Sequence, residues 1–343
     1  GVGSRRPPMS AAQLPPGDTL VVSPDGGSWA QLPAELLAGV FRSLDAGRDR
    51  KAARLVCRQW AAGHGLAVGH LHPTRANPAR LAARFPALTS LDLRKRTREE
   101  HPPGLLRQLG ALRGLRHLNL DSCRVATDAE LAGLAPLRDL SSLVASHCWW
   151  LKGTGFAALA GLPRLASISL SACDVSAAGL AAVAALPALT ALDLNFCWRL
   201  CDDDVAALAA ATRLASLKLA GSGVGDAGAR VVAGLPRLTA LDMGGCEVTD
   251  AGVGALAALP ALESLSIQQS LVTDEALPGL AAMPALAHLN LTQCCLVYGG
   301  GLAALGASPA LRTLCLKGCP LQESGREALR DIQAAGTTLV VQR

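Results

Sequence analysis

The sequence predicts an α/β fold, a solenoid in which short parallel strands alternate with helices. One leucine-rich phrase, Leu-x-x-Leu-x-Leu-x-x-Cys or a close variant, recurs ten times in 343 residues, and successive copies begin 24 to 27 residues apart. The first leucines of the ten copies are Leu88, Leu115, Leu140, Leu165, Leu189, Leu214, Leu238, Leu262, Leu286 and Leu311. A fixed period of this length indicates stacked repeats, each of which is one supersecondary unit.

The repeat that begins at Leu238 illustrates how each unit is built. Leu238, Leu241 and Met243 alternate with smaller or polar residues, which predicts a short strand with one buried side. After Cys246 the apolar residues recur at helical spacing, and Pro260 cannot continue the helix. The pattern is typical of a leucine-rich-repeat horseshoe, with a parallel sheet on the concave face and helices on the convex face.

The elements at the repeat boundaries can also be predicted. Glu323 to Ala334 is predicted to be the last helix, and Thr338 to Val341 a closing strand. Residues 65–87 are predicted to be a segment that connects the N-terminal part to the repeats and caps them. Residues 88–343 are predicted to form about ten repeats with a C-terminal cap. Small polar residues are predicted to cap the helices. The predicted N-caps are Thr127, Ser176, Asp202, Asp226, Thr273 and either Thr249 or Asp250.

Composition and charge narrow the class of protein. Eighteen consecutive apolar residues occur nowhere without an interruption, so we expect no membrane-spanning segment. The segment from Arg42 to Arg116 carries 16 Lys/Arg and 5 Asp/Glu, whereas the chain from His117 onward carries 14 and 19. The basic segment is either an attractive surface for nucleic acid, phosphate or acidic protein, or an ordinary solvated surface. We expect no nucleic-acid partner.

One column of the repeat is occupied mainly by cysteine. Its cysteines are Cys123, Cys148, Cys173, Cys197, Cys246, Cys294 and Cys319, and serine replaces cysteine at Ser222 and Ser270. We predict that this column faces inward for packing or a weak hydrogen bond to the turn. The serines and the odd total of 11 cysteines favour free thiols and hence a reducing compartment, the cytoplasm or the nucleus.

The N-terminal part carries a second pattern. Residues 1–28 are rich in Pro, Gly and Ser and are predicted to be disordered. Residues 29–64 contain Leu-Pro-x-Glu-Leu-Leu from Leu32, then Val-Phe-x-x-Leu-Asp from Val40, then Leu-Val-Cys-Arg-x-Trp from Leu55. The apolar residues share helical faces, which a simple helical cap would also explain. The order and spacing of the three blocks resemble the F-box, and the whole chain resembles plant and green-algal F-box/leucine-rich-repeat proteins.

The resemblance implies the substrate-recognition subunit of an SCF-type ubiquitin ligase. In that family the helical F-box binds a Skp-type adaptor, and through it a cullin and a RING protein. The target protein is expected to bind at the concave face or the rim of the repeats. Helix-in-groove docking with buried anchors is the expected mode. The implied adaptor-binding residues are Leu32, Pro33, Leu36, Leu37, Val40, Phe41, Leu55, Val56, Cys57 and Trp60. The alternative is a non-catalytic scaffold, for example in a cilium or axoneme, whose F-box-like cap recruits no ligase.

Aromatic residues indicate where a target protein would bind. Four of the ten aromatic residues fall in two repeats, close to Cys148 and Cys197. The candidate residues, including polar neighbours, are His147, Trp149, Trp150, Asp193, Asn195, Phe196, Trp198 and Arg199. Exposed tryptophan beside arginine is typical of interfaces. The alternative is a longer turn in both repeats, over which each tryptophan folds to shield the core.

The remaining candidate chemistry is sparse. Arg94, Lys95, Arg96 and Arg98 could hold a phosphate group, or they could form a solvated loop beside Glu99 and Glu100. The histidines lack the spacing of zinc ligands, and the thiols lack an obvious base. We therefore expect no metal, no cofactor and no catalytic activity; a ligase receptor acts by bringing its target close to an enzyme that other subunits supply.

Overall fold

The computed structural model describes residues 69–71, 81, 83–94, 104–124, 126–308, 310–334 and 340–342. All of them belong to the second of two units into which the chain divides, Val68–Arg343. The F-box-like segment and its predicted adaptor-binding residues lie outside the described residues. No helix in the described ranges is both long and apolar enough to span a bilayer.

Twelve parallel strands follow one another in chain order within a single sheet. They are β1 His70–Leu71, β2 Ser90–Asp92, β3 His117–Asn119, β4 Ser142–Val144, β5 Ser167–Ser169, β6 Ala191–Asp193, β7 Ser216–Lys218, β8 Ala240–Asp242, β9 Ser264–Ser266, β10 His288–Asn290, β11 Thr313–Cys315 and β12 Val340–Gln342. Each pair of neighbouring strands aligns equivalent positions, such as Leu217 with Leu241. The ten predicted strands are confirmed as β2 to β11.

Short helices connect the strands. In the described residues after β2, the α-helices are α1 Leu105–Leu109, α2 Asp128–Leu131, α3 Ala177–Ala184, α4 Asp202–Val205, α5 Asp226–Val232, α6 Asp250–Leu256, α7 Leu277–Ala281, α8 Leu302–Gly306 and α9 Glu323–Ala334. The 3-10 helices of the same part of the chain are Ala132–Leu134, Thr154–Leu159, Ala206–Ala210 and Asp274–Ala276. The predicted last helix is confirmed over its full length, and the closing strand lies at Val340–Gln342, two residues later than predicted at its start.

The leucine-rich-repeat solenoid is therefore confirmed, with one continuous core between sheet and helices. Leu238 and Met243 are fully buried, and Leu241 is nearly so, as the repeat pattern predicts. Val253 and Leu256 of α6 and the following Leu259 enclose the same core from the helical side. Because each repeat contributes only a thin layer, its apolar side chains are buried largely by its neighbours.

Aspartates at the first position of several helices link each repeat to the next. The Asp202 Oδ1 atom accepts the N–H groups of Gly225 at 2.7 Å and of Gly228 at 2.9 Å. A β-carbon at Gly228 would lie 2.7 Å from that oxygen, so glycine permits the approach. Asp250 accepts the N–H and the hydroxyl of Thr273 in the same way, at 2.8 and 2.6 Å. Asp128, Asp226 and Asp274 make equivalent bonds.

These bonds correct two of the predicted N-caps. Ser176, Thr249 and Thr273 do cap their helices, since each side chain accepts a backbone N–H from the first turn. Asp202 and Asp226 instead lie one residue inside the helix, after Cys201 and Gly225. Their carboxylates bond the next repeat, which a cap within one helix could not do.

The cysteine column lies where it was predicted. Cys123 donates its thiol to the Leu93 carbonyl at 2.9 Å, and Cys246 donates to the Leu219 carbonyl at 3.1 Å. The described cysteines are free thiols. Desolvation by burial raises the pKa of Cys148 and Cys197 to about 11, so both thiols are protonated near neutral pH. The column is structural packing with a weak hydrogen bond to the preceding repeat.

Candidate interaction surface

The same turn geometry recurs after the strands at the edge of the sheet. The residue just before the cysteine column adopts a left-handed conformation in repeat after repeat, including His147 at φ 55° and Phe196 at φ 58°. The Phe196 N–H donates to the Ala220 carbonyl of the next repeat, and the His147 N–H donates to the Ser171 carbonyl at 2.8 Å. A left-handed non-glycine residue costs about 1–2 kcal/mol, which these hydrogen bonds and the packing of the repeats offset.

The tryptophans lie in the turns just after this geometry. Trp149 is 70% exposed and Trp198 is 74% exposed, and strand β5 separates the strands that precede them. Trp150 is 36% exposed, and its Nε1 donates to the Ala126 carbonyl at 3.1 Å. With Phe196, which is also exposed, these three residues form what we call the aromatic patch.

The structure bears on the alternative interpretation, in which a longer turn lets each tryptophan shield the core. Four residues lie between Cys148 and the cap of its helix, Gly153, whereas two lie between Cys173 and the cap Ser176. The longer turn is therefore real. Trp150 is the one that bonds back onto the preceding repeat, whereas Trp149 and Trp198 keep most of their surface in solvent and shield little of the core.

Ionic contacts order the aromatic patch. Asp174, in the repeat between the tryptophans, accepts hydrogen bonds from Lys152 and from Arg199, the latter at 3.1 Å. The hydrogen bond from Lys152 is the main reason that the pKa of Asp174 lies below its ordinary value. The Arg199 guanidinium also lies over the Trp198 ring, 5.3 Å from its centroid. One carboxylate thus links two repeats on either side and holds Arg199 against Trp198.

Phe196 packs against the backbone of the following repeat. A β-carbon at Gly221 would lie 2.8 Å from Cδ1 of the Phe196 ring. Glycine at this position therefore leaves room for the ring, while most of the ring surface remains exposed. Beside Phe196, the surface is therefore formed by the main chain of Gly221, which has no side chain.

The polar candidates chiefly support the turns. Asp193 Oδ1 accepts the N–H of Asn195 at 3.0 Å, and Asn195 Oδ1 accepts the N–H of Ala220 at 2.9 Å. His147 Nδ1 lies 2.9 Å from Asp121 Oδ1. The structure thus places seven of the eight candidate residues in the turns that follow β4 and β6, with Asp193 as the last residue of β6. Their contact with a target protein stays a prediction.

A second group of exposed apolar residues was not predicted. Leu271, Leu296 and Tyr298, which we call the C-terminal patch, are exposed in the turns after β9 and β10. Leu271 follows Ser270 directly, just as Trp149 follows Cys148. For Leu271, that shared offset from the cysteine column was the signal available in the sequence, although aliphatic residues also fill the core. Leu296 and Tyr298 do not share this offset.

The possible anion site is only partly described. The Arg94 guanidinium pairs with Asp92, with Nε 2.7 Å from Oδ2. This hydrogen bond is the main reason that the pKa of Arg94 is raised. Lys95, Arg96 and Arg98 lie outside the described residues, and phosphate binding stays a prediction. Within the described ranges, no cluster of His, Cys, Asp and Glu is arranged to hold a metal ion.

Comparisons with known proteins agree with this architecture. A family model described as Leucine Rich repeat matches residues 235–257, which is one repeat. F-box/LRR-repeat protein 12 of Arabidopsis thaliana is 26% identical over 150 residues, 43% of this chain and 36% of that protein. The chain thus matches little more than a third of the length of that relative.

Two solved structures resemble the fold. An internalin (inlF) from Listeria monocytogenes str. 4b F2365 has a TM-score of 0.57 at 18% identity, over 92% of this chain and 98% of its own. TLR13 in its complex with ssRNA13 has a TM-score of 0.55 at 20% identity, over 73% of this chain and 36% of its own. At these identities the likeness concerns the fold alone. The protein therefore has the fold of a leucine-rich-repeat solenoid.

Proposed function

We propose that this protein is the substrate-recognition subunit of an SCF-type ubiquitin ligase. The observation that carries the proposal is the presence, on one chain, of the F-box-like blocks from Leu32 to Trp60 and a leucine-rich-repeat solenoid with an ordered, exposed aromatic patch. The partial similarity to an F-box/LRR-repeat protein supports the same combination.

In this proposal the two parts of the chain have separate tasks. The F-box-like segment binds a Skp-type adaptor and, through it, a cullin and a RING protein. The solenoid binds the target protein at the aromatic patch, where Asp174 already restrains Arg199 and thereby Trp198. Restraint before binding lowers the entropy cost of association. The subunit performs no bond chemistry of its own and acts by proximity.

The compartment belongs to the proposal as well. The free, buried thiols of the cysteine column are compatible with a reducing compartment. We therefore propose that the protein acts in the cytoplasm or the nucleus.

Adaptor binding is the first test. The full chain and a Leu36→Asp/Phe41→Ala double variant would be incubated with a purified Skp-type adaptor and analysed by pull-down and calorimetry. A Trp149→Ser/Trp198→Ser variant is the matched control, because it changes only exposed side chains of the solenoid. Circular dichroism would establish that all three proteins are folded.

The expected result is adaptor binding by the wild type and the solenoid variant and loss of binding by the F-box variant. If the wild type does not bind the adaptor at saturating concentration, the ligase proposal is wrong. The protein would then be treated as a non-catalytic scaffold, whose partners would be sought through the aromatic patch.

A further inference from the structure

Every large hydrophobic side chain that is exposed in the described residues lies at one edge of the solenoid. All seven belong to the aromatic patch or the C-terminal patch, in turns that follow strands of the sheet. Scattered apolar side chains would need no explanation, but a single edge that collects all of them indicates an interaction surface. The two patches lie on the same edge and are separated by the turns after β7 and β8.

The stretch between the patches is smooth. Trp149 and Trp198 directly follow the cysteine column, and in the next repeat Gly223 occupies this position. The position just before the cysteine column is glycine at Gly221 and Gly245. Three strand spacings separate β6 from β9, or about 14 Å at roughly 4.8 Å each. An α-helix that rises 1.5 Å per residue covers that distance in about ten residues, close to three turns.

The same stretch is acidic. The turns and helix starts at residues 196–205, 220–228, 244–252 and 268–276 contain eight Asp/Glu and one Lys/Arg. That single cation is Arg199, which is paired with Asp174. Exposed members of the set include Asp203, Glu247 and Glu275. A partner that crosses this stretch is favoured if it carries positive charge there.

The backbone of this edge is not available for strand pairing. The N–H groups of Gly221, Gly245 and Gln269 already donate to carbonyl groups of the following repeat, at 2.7 to 2.9 Å. An extended partner segment would bring its own N–H and C=O groups without finding partners here. A helix satisfies those groups internally, so the edge favours a helical partner.

We propose that this edge binds a basic amphipathic helix of a target protein. The helix has two apolar anchors about eleven residues apart on one face, with lysine or arginine between them. One anchor contacts Trp198 in the aromatic patch, the other contacts Leu271 in the C-terminal patch, and the intervening cations face Glu247. This inference rests on the proposed target-binding role of the solenoid and adds the chemistry of the target.

The probe is a phage-displayed library of helical 20-residue peptides in which the side-chain positions are randomised. It would be selected against the full chain, and one enriched peptide would be synthesised for fluorescence anisotropy. The variants to be measured are Trp198→Ser, Leu271→Ser and Glu247→Lys. Arg237→Ser serves as a matched control, because Arg237 is an exposed residue outside the turns that form the edge.

We expect enriched peptides to share two apolar anchors ten or eleven residues apart and lysine or arginine between them. Trp198→Ser and Leu271→Ser should each weaken binding about 10-fold, which corresponds to about 1.4 kcal/mol, because each removes one buried anchor contact. Glu247→Lys should weaken binding and reduce its dependence on salt. The Arg237→Ser variant should bind as the wild type does.

Three results would overturn the proposal: enrichment of peptides with a single anchor cluster, enrichment of acidic peptides, or wild-type affinity in both anchor variants. Circular dichroism and thermal melting distinguish a misfolded variant from one that has lost an anchor. The Leu36→Asp/Phe41→Ala variant separates this proposal from the ligase proposal, because it should bind the selected peptide even though it loses the adaptor.

Discussion

The aspartates that join neighbouring repeats make a quantitative prediction about stability. Asp250 accepts two hydrogen bonds from Thr273 of the next repeat, one from its N–H and one from its hydroxyl. Hydrogen bonds to charged groups contribute about 1.5–3 kcal/mol each, and this carboxylate is half-buried, so solvent replaces part of what is lost. We expect Asp250→Ala to lower the free energy of unfolding by about 2 kcal/mol.

Urea unfolding followed by circular dichroism measures this change. With a slope of about 3 kcal/mol per molar urea, the midpoint should fall by roughly 0.7 M. Hydrogen exchange locates the effect: the Thr273 N–H should exchange about 30-fold faster, since 1.4 kcal/mol corresponds to a factor of ten. Asp250→Asn keeps one acceptor oxygen and should lose about half as much.

Asp203→Ala is the control, because Asp203 also lies in the first turn of a helix but its side chain is exposed. Its effect should stay within about 0.5 kcal/mol, as for ordinary surface substitutions. Equal stability of Asp250→Ala and Asp203→Ala would show that the aspartates do not couple the repeats. Unchanged hydrogen exchange of the Thr273 N–H in Asp250→Ala would contradict the reasoning in the same way.

Three further measurements test individual contacts. Trp150→Phe removes the hydrogen bond to the preceding repeat and should lower the free energy of unfolding by about 1 kcal/mol in the urea titration. Trp149→Phe should change the free energy of unfolding little, and equal losses would contradict the assigned contact. Alkylation by N-ethylmaleimide at pH 8 with peptide mass spectrometry should modify exposed Cys201 well before Cys148, whose pKa of about 11 leaves roughly one thiolate in a thousand. Comparable rates in the folded protein would show that the column is open. Burial alone would raise the pKa of Asp226, but hydrogen bonds from the next repeat outweigh it and hold the pKa below its ordinary value. The carboxylate therefore stabilises the fold above about pH 4, and this contribution disappears as the pH falls through the lowered pKa. The stability difference between the wild type and Asp226→Asn should accordingly shrink in acid, and a constant difference would argue against the linkage.

The repeats could be predicted because the spacing of apolar residues within each repeat indicates which of its residues are buried. Leu217 and Leu241 occupy equivalent positions and pair in register, so the spacing of leucines alone predicts both strands and their alignment. Strand β1 at His70–Leu71 was missed, because residues 65–87 contain no copy of the leucine phrase. It forms through backbone pairing with β2, where Leu71 aligns with Leu91.

The candidate surface was predicted only in outline. The offset of Trp149 and Trp198 from the cysteine column predicted that both lie at one edge. Their exposure distinguishes them from tryptophans that shield the core, and only the structure shows it. The role of Asp174 could not be read from its own repeat, since its partners Lys152 and Arg199 lie 22 and 25 residues away. A side chain in one turn carries no signal about which charges the adjacent turns present.

The sequence by itself determined the period, the inward-facing columns and the position of the last helix, because burial of apolar side chains at a fixed spacing is a local property of the chain. The tertiary structure decided which groups meet between repeats: Asp250 with Thr273, Asp174 with Lys152 and Arg199, and the Phe196 ring with Gly221. It also decided the left-handed turn at Phe196, a conformation that the residue disfavours in isolation. Stacking supplies a hydrogen-bond acceptor from the next repeat, and only the assembled solenoid contains that acceptor.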